Sequence, residues 1–349
     1  MFPRVGITRI ADVTGLDRLG IPVYQAIRPR SRNLAVSQGK AVTAVGAKVS
    51  GAMEAIELWH AESLDHLAPA PLPLREMRYA NPIDEKSFHW RPDSLLLEAA
   101  TLDWVSARSL TTGRTGWLPT QMIELDFTLP SRLTPNMFHL TSNGLASGNC
   151  RAEALVHGLS ELVERHGLYL VYEHPARRRR VDEDSIEDPE CLGLIERIRA
   201  AGAKLAIYDA SWEVGLPCLI ADLVLPDIPN IWRGSGCHLA REVALSRALT
   251  EAAQSRLTYI AGARDDLTQF TERFDFARPF DLFAPPPPET RFESVPDLAT
   301  GDVAEDLAII IERLAQYGFE PWAIDLTRND IGIPVWRTFV AGLKEAPYG

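Results

Sequence analysis

Cysteine is scarce in this chain, and the little there is lies scattered. The 349 residues hold four, Cys150, Cys191, Cys218 and Cys237, with no CxxC among them. That excludes a disulfide framework and a structural zinc site. No run of about 18 apolar residues occurs, so no membrane-spanning helix is expected. The opening stretch, MFPRVGITRIADVTGLD, carries Arg4, Arg9 and Asp12 where a signal peptide needs an apolar core, and we read a cytoplasmic protein. Basic charge is in deficit: 36 Lys and Arg against 47 Asp and Glu, a net −11. The balance argues against a nucleic-acid coat or a binder of anionic membranes, while leaving room for a local basic pocket. A P-loop is missing as well, SQGK being no more than a fragment of one.

What is present alternates. Short β-like pieces at 5–10 and 21–28 precede a helical pattern over 42–62. Residues 64–140 read as loop-rich, with strand-like pieces at 114–118 and 123–127. A Gly/Ser/Asn cluster over 141–149 runs into a helix over 151–172. The basic tract Arg177–Arg180 reads as a solvated turn. A helix over 189–201 closes at Gly202, followed by strands at 204–208 and 217–224. Gly234 to Gly236 precede a third long helix over 241–261. A loop-rich stretch over 262–300 includes the stiff connector Pro285–Pro288. A helix over 303–317 and strands at 320–325 and 334–340 complete the chain. The pattern is mixed α/β, taken as one unit over 1–349.

Three segments share one grammar. They read SQGKAVTAVGAKVSGAMEAIELWHAE, ASGNCRAEALVHGLSELVERHG and GSGCHLAREVALSRALTEAAQSRL. Each begins with a Gly-containing turn and becomes an Ala/Leu/Val-rich helix. Each then sets acids or amides three apart: Glu54 and Glu57, Glu161 and Glu164, Glu251 and Gln254. Residues three apart share a helix face. Their neighbours are core types (Ala55, Ile56, Leu162, Val163), so the carboxylates are expected to point inward, although such pairs are also common on solvent-facing helices. Adjacent buried carboxylates repel and need cations. Arg165 and Arg256 supply two, and a divalent ion with oxygen ligands, Mg²⁺, suits the remainder. Gly-rich helix starts beside Lys40 and Asn149 would offer N–H groups to phosphate.

At these residues the chain resembles the YcaO family. Ser50, Glu54 and Glu57 fit its SxxxExxE. Ser147, Gly148, Asn149, Glu153, Gly158, Glu161, Glu164 and Arg165 fit SGNxxxEAxxxGLxExxER. Glu251, Gln254 and Arg256 fit ExxQxR. The match runs over about residues 20–343, with 64–140 and 262–300 as insertions. VTGLDRLGIPVYQAIRP and TRNDIGIPVWRTFVAGL resemble the branch encoded beside a TfuA-type partner. Two departures stand out: Leu58 replaces an Arg often found after the first acid pair, and EAPYG stands where azoline-forming members commonly have a Pro-rich tail.

The resemblance implies a YcaO-type fold with several subdomains around one nucleotide site, and an ATP- and Mg²⁺-dependent enzyme. Such an enzyme activates a backbone amide of a precursor peptide, giving a thioamide or an azoline, the missing tail favouring the thioamide. It implies Glu54, Glu57, Glu153, Glu161 and Glu164 as metal ligands. Lys40, Ser50, Asn149, Arg165, Glu251, Gln254 and Arg256 would hold the nucleotide. Glu164 and Arg256 would act in catalysis, although the residues alone leave Arg256 equally a counter-ion for Glu251. A TfuA-like partner and a homodimer are further implications. The rival expectations are a non-catalytic nucleotide-binding scaffold and an accessory factor for an enzyme that modifies the translation machinery.

Overall fold

Each of the three kindred segments folds as a strand followed by a long helix. The computed structural model describes residues 1–92, 94, 100–128, 137–228, 230–264 and 283–346. Down the chain run α1 (Phe2–Val5), β1 (Arg9–Asp12), β2 (Val23–Ile27), β3 (Val36–Lys40) and α2 (Ala44–Ala61). Next come β4 (Ala70–Pro73), α3 (Leu74–Ala80), β5 (Thr101–Ser109), β6 (Thr115–Pro119), β7 (Leu145–Ser147) and α4 (Arg151–Glu173). The third stretch holds β8 (Arg179–Asp182), α5 (Pro189–Ala200), β9 (Lys204–Asp209), β10 (Cys218–Val224), β11 (Trp232–Cys237) and α6 (Arg241–Ala261). Last are β12 (Thr290–Arg291), α7 (Val303–Gln316), β13 (Pro321–Asp325) and β14 (Val335–Val340).

The strands form three sheets, ordered β1-β2-β3, β11-β10-β9-β8-β12 and β4-β5-β13-β14-β7, with β6 beside β5. All pairings are antiparallel except β8 with β12. Strand periodicity divides the five-stranded sheet between two cores. Leu205, Ile207, Leu219 and Ala221 pack on α5 and α6, while Ala206, Tyr208 and Ile220 pack on α4 and α7. Every residue of β10 is consequently buried. The six-stranded sheet buries Trp104, Phe138 and Trp322 with the end of α2.

Each sheet thus supplies one strand–helix unit: β3–α2, β7–α4 and β11–α6. The glycines of these units serve close packing. A Cβ on Gly39 would sit 1.9 Å from the Gly51 nitrogen in α2, and one on Gly234 would sit 2.2 Å from Ala248 O in α6. SQGK and GSGC therefore lie in β3 and β11 and are not anion-binding helix starts. Alternate N–H groups there pair within the sheet, while those of Gln38 and Ser235 donate to Glu54 and Glu251.

Other expectations also change. Residues 123–127 form no strand, and 5–10 splits between α1 and β1. Arg177–Arg180 is no solvated turn: Arg180 is buried in β8, and Arg178 lies over the Tyr208 ring at 4.4 Å. The stretch 64–140 carries β4, α3 and β5 where loops were expected, and β6 where a strand was expected at 114–118. Within 262–300, residues 265–282 lie outside the described residues.

Candidate functional site

Ser50, Glu54 and Glu57 line one face of α2, a helix whose first turn is capped by the Thr43 side chain accepting from Gly46 N at 3.1 Å. Glu54 accepts from the main-chain N–H of Gln38 in its own unit, at 3.1 Å. The homologous acid of α4, Glu161, accepts from Gly144 N at 2.9 Å, just ahead of β7. Glu251 of α6 accepts from Ser235 N in β11 at 3.4 Å. The first acid of each set spaced three apart is thus tied to the backbone of its own unit.

Contacts to the next unit close a ring. Glu57 on α2 accepts from Ser147 N at 2.8 Å and Ser147 Oγ at 2.6 Å, at the end of β7. Glu164 on α4 accepts from Ser235 Oγ at 2.7 Å, in β11. Glu251 on α6 accepts from Lys40 Nζ, at the end of β3. Helix to next strand, the three units close into a cycle with the acids inside. Arg165 joins two of them, at 3.4 Å from Glu161 and 3.7 Å from Glu164.

The electrostatics follow from this crowding. Glu54 and Glu57 keep some accessible surface yet are densely surrounded, as side chains lining a recess are. Burial pushes the Glu54 carboxyl up to about 7, with Glu161 adding repulsion. Burial pushes Glu57 to about 8, and Glu54 and Glu161 add to it. Glu164 is raised by burial too, against the pull of Arg165 and with the push of Glu251. At Glu251 burial opposes the charge, but Lys40, Arg165 and Arg247 outweigh it and bring the carboxyl down to about 2.

A pH dependence results. For Glu54 and Glu57 the folded value lies above the ordinary 4.5, so their protonated forms favour the fold. Their contribution is complete below 4.5 and is lost as pH rises through about 7 and about 8. A metal needs the ionised forms. We therefore expect the gain in melting temperature on adding Mg²⁺ to grow as pH rises over that range. Thermal melts in a pH series with and without Mg²⁺ check this, and a gain that shrinks as pH rises contradicts it.

The structure brings together Lys40, Glu54, Glu57, Glu161, Glu164, Arg165 and Glu251. Ser50 and Gln254 stand on the inner faces of α2 and α6. Three expected residues are engaged elsewhere. Glu153 accepts from Asn149 N at 2.9 Å and Asn149 Nδ2 at 3.0 Å, so the pair closes the first turn of α4. Arg256 does not meet Glu251 or the other acids. Its side chain, 1% exposed, bonds Asp17 at 2.9 Å and Asp227 at 2.7 Å and lies near the Trp232 ring. It is a buried counter-ion, though not of the acid first considered.

Four contributors escaped the sequence reading. Gln38, Ser147 and Ser235 position the acids from the strands. Arg247, one turn before Glu251, extends its field to Glu164 and Glu251 from an exposed position. Ser147 was legible as a motif position without a role of its own, and Ser235 only as a small residue ahead of its helix.

The donors present suit Mg²⁺. They are carboxylates alone, held by N–H and O–H groups, and Glu54, Glu57 and Glu164 are costly to ionise without a cation. Among the described residues no three His, Cys, Asp or Glu side chains stand close enough together to hold a metal ion by themselves. No helix among the described residues is long and apolar enough to cross a membrane.

Known proteins resemble this chain over most of its length. Residues 38–344 match one family model, described as YcaO cyclodehydratase, ATP- and Mg²⁺-binding. An uncharacterized protein in the tfuA 3′ region of Rhizobium leguminosarum bv. trifolii is 36% identical over 97% of this chain and 84% of its own. A heterocyclase solved in complex with substrate and cofactor superposes with a TM-score of 0.81 at 22% identity over 97% of this chain, which spans 50% of that protein's length. YcaO from Methanopyrus kandleri, bound with AMPPCP and Mg²⁺, gives a TM-score of 0.74 at 22% identity over 99% of this chain and 88% of its own. At such identities the two structures establish the shared fold. The family match takes in most of β3, all three long helices and β14, and so this chain belongs to the YcaO family, whose cofactors are ATP and Mg²⁺.

Proposed function

We propose that this protein uses ATP and Mg²⁺ to activate a backbone amide of a precursor peptide or protein and to convert it to a thioamide. The observation that carries the reading is the ring of acids closed through Ser147, Ser235 and Lys40 where three strand–helix units meet. An amide oxygen is a poor leaving group, and its transfer to phosphate makes it a good one. External sulfide adds to the carbonyl carbon, and the resulting oxyanion takes the γ-phosphoryl group of ATP. The C–O bond then breaks as phosphate departs with that oxygen, leaving C=S, and ADP is the second product. When the attacking group is a neighbouring Cys, Ser or Thr side chain, the same sequence gives an azoline.

In this reading Glu54, Glu57, Glu161 and Glu164 hold Mg²⁺, which when bound neutralises phosphate charge. Lys40, Arg165 and Arg247 face the phosphates, Ser50 and Gln254 position the nucleotide, and Glu251 fixes the Lys40 ammonium. Positioning and charge neutralisation dominate such chemistry. The kinship with the protein of the tfuA region supports a TfuA-like partner. A homodimer working in the cytoplasm, where ATP is available, completes the proposal.

Mass spectrometry of a peptide co-expressed with this chain and a TfuA-like protein tests it. Exchange of oxygen for sulfur is the expected result. Loss of water assigns azoline formation instead. An unmodified peptide, with ATP bound but not hydrolysed, leaves a scaffold or accessory role.

A further inference from the structure

The accessible side of α4 is one narrow stripe. From Ala154 to His166 every residue is buried except His157, Glu161 and Arg165, which stand four apart and share a helix face. Glu161 and Arg165 belong to the acid ring, so His157 opens onto the same recess, one turn nearer the start of α4. On α6 the exposed Arg247 stands one turn before Glu251. Its charge acts on Glu164 and Glu251, and also on His157 and on His238, the residue that follows β11. Two imidazoles thus stand within the field of a ring arginine, and the chemistry above gives neither a part.

Both are held neutral near pH 7. Burial and Arg247 keep His157 below the ordinary histidine range, against the pull of Glu153 on its own helix and of the Ser147 main chain. Burial, Arg247 and His157 take His238 down to about 4. A neutral imidazole keeps one basic nitrogen. In His238 it is spent, since Nδ1 accepts from Ala240 N at 3.0 Å. In His157 no N–H or O–H among the described residues claims it. The other groups of the recess are no better placed to take a proton: its carboxylates face Mg²⁺ in the reading above, and Lys40, Arg165 and Arg247 already carry theirs.

We propose that His157 is the general base of the reaction, taking the proton of the attacking sulfur as phosphate leaves. The assignment rests on the thioamide reading above and adds a catalytic residue to it. Hydrosulfide adds to the carbonyl carbon with its hydrogen still on sulfur, and the oxyanion takes the γ-phosphoryl group as ADP departs. When the C–O bond then breaks with phosphate, the S–H bond breaks too. Its electron pair becomes the second bond of C=S, and its proton goes to the imidazole. That proton is released beside the phosphates, and Arg247, which faces them in this reading, acts directly on His157.

His157→Gln tests the assignment, because glutamine keeps a donor for the Ser147 main chain and has no basic nitrogen. Single-turnover sulfur incorporation is followed by mass spectrometry, using the peptide of the assay above, the TfuA-like protein, ATP, Mg²⁺ and sodium sulfide. Binding of Mg²⁺ with a non-hydrolysable ATP analogue and the melting temperature are measured beside it. Incorporation is expected to slow by about a hundredfold, the lower end of what a general base supplies, with binding and melting unchanged. His157→Ala opens room for an added base, and imidazole and its methylated relatives are expected to restore the rate in order of basicity. A wild-type rate in the glutamine variant shows that a donor to Ser147 suffices and overturns the assignment. Weaker nucleotide binding with a lower melting temperature overturns it as well, as does rescue indifferent to basicity. Wild-type protein that gives azoline or no product refutes the thioamide reading, and this proton transfer with it.

Discussion

Glu164→Gln is expected to abolish ATP turnover while raising the melting temperature of the metal-free protein. Glu164 is 4% exposed, and burial and Glu251 both oppose its charge. Glutamine keeps the shape and still accepts from Ser235 Oγ, so the ring between α4 and β11 survives. What goes is a ligand charge. Without metal, loss of a buried charge beside Glu251 is stabilising, on the order of a few degrees for a domain of this size. With Mg²⁺ and ATP, we expect turnover to fall by about a hundred- to a thousandfold, about 3–4 kcal/mol of transition-state stabilisation. Steady-state hydrolysis and thermal melts on the one variant check both halves. Wild-type hydrolysis would remove Glu164 from the metal site. A lower melting temperature would make it a structural acid.

Arg256→Ala is expected to do the reverse, costing stability and sparing chemistry. Asp17 is buried with Arg256, their side chains 2% and 1% exposed, and Asp227 completes the cluster. Removing the guanidinium strands a carboxylate in a poor solvent, at a cost of about 3–5 kcal/mol. Arg256→Lys keeps the charge and loses the fork that reaches both aspartates, so its loss is smaller. Turnover per folded molecule is expected to stay near wild type in the Lys variant. Denaturant unfolding together with single-turnover hydrolysis decides the matter. A hundredfold slower chemical step with unchanged stability would return Arg256 to the phosphates.

The contrast between these residues shows how far a motif carries. Glu251 and Arg256 stand five apart on one helix, in one pattern, yet α6 presents Glu251 to Lys40 and Arg256 to Asp17. Five residues turn a helix by well over a quarter circle. Which face met which neighbour depended on the sheets around it. Glu153 pairs with Asn149 for a related reason. Local hydrogen bonding at a helix N-terminus competes for an acid in the first turn, and Asn149 lay within reach.

The glycines misled in the opposite direction. Turn chemistry and close strand–helix packing both select glycine, and nothing local separates them. The long hydrophobic helices, by contrast, were legible to within a residue or two, because amphipathic periodicity is a local property. Strand β5 was not expected: its central place in a sheet comes from β4, β6 and β13, which are distant or irregular in sequence.

By itself the sequence determined three acid-bearing helices, their boundaries, and the residues three apart that share a face. Helix geometry needs only neighbours along the chain. Tertiary structure alone decided that Glu57 meets Ser147, Glu164 meets Ser235 and Glu251 meets Lys40, and so that three separate acid pairs become one ring. The partners in those contacts lie 90, 71 and 211 residues apart. No local propensity encodes such a distance; it is set by how three sheets pack their small-residue strands against one another's helices.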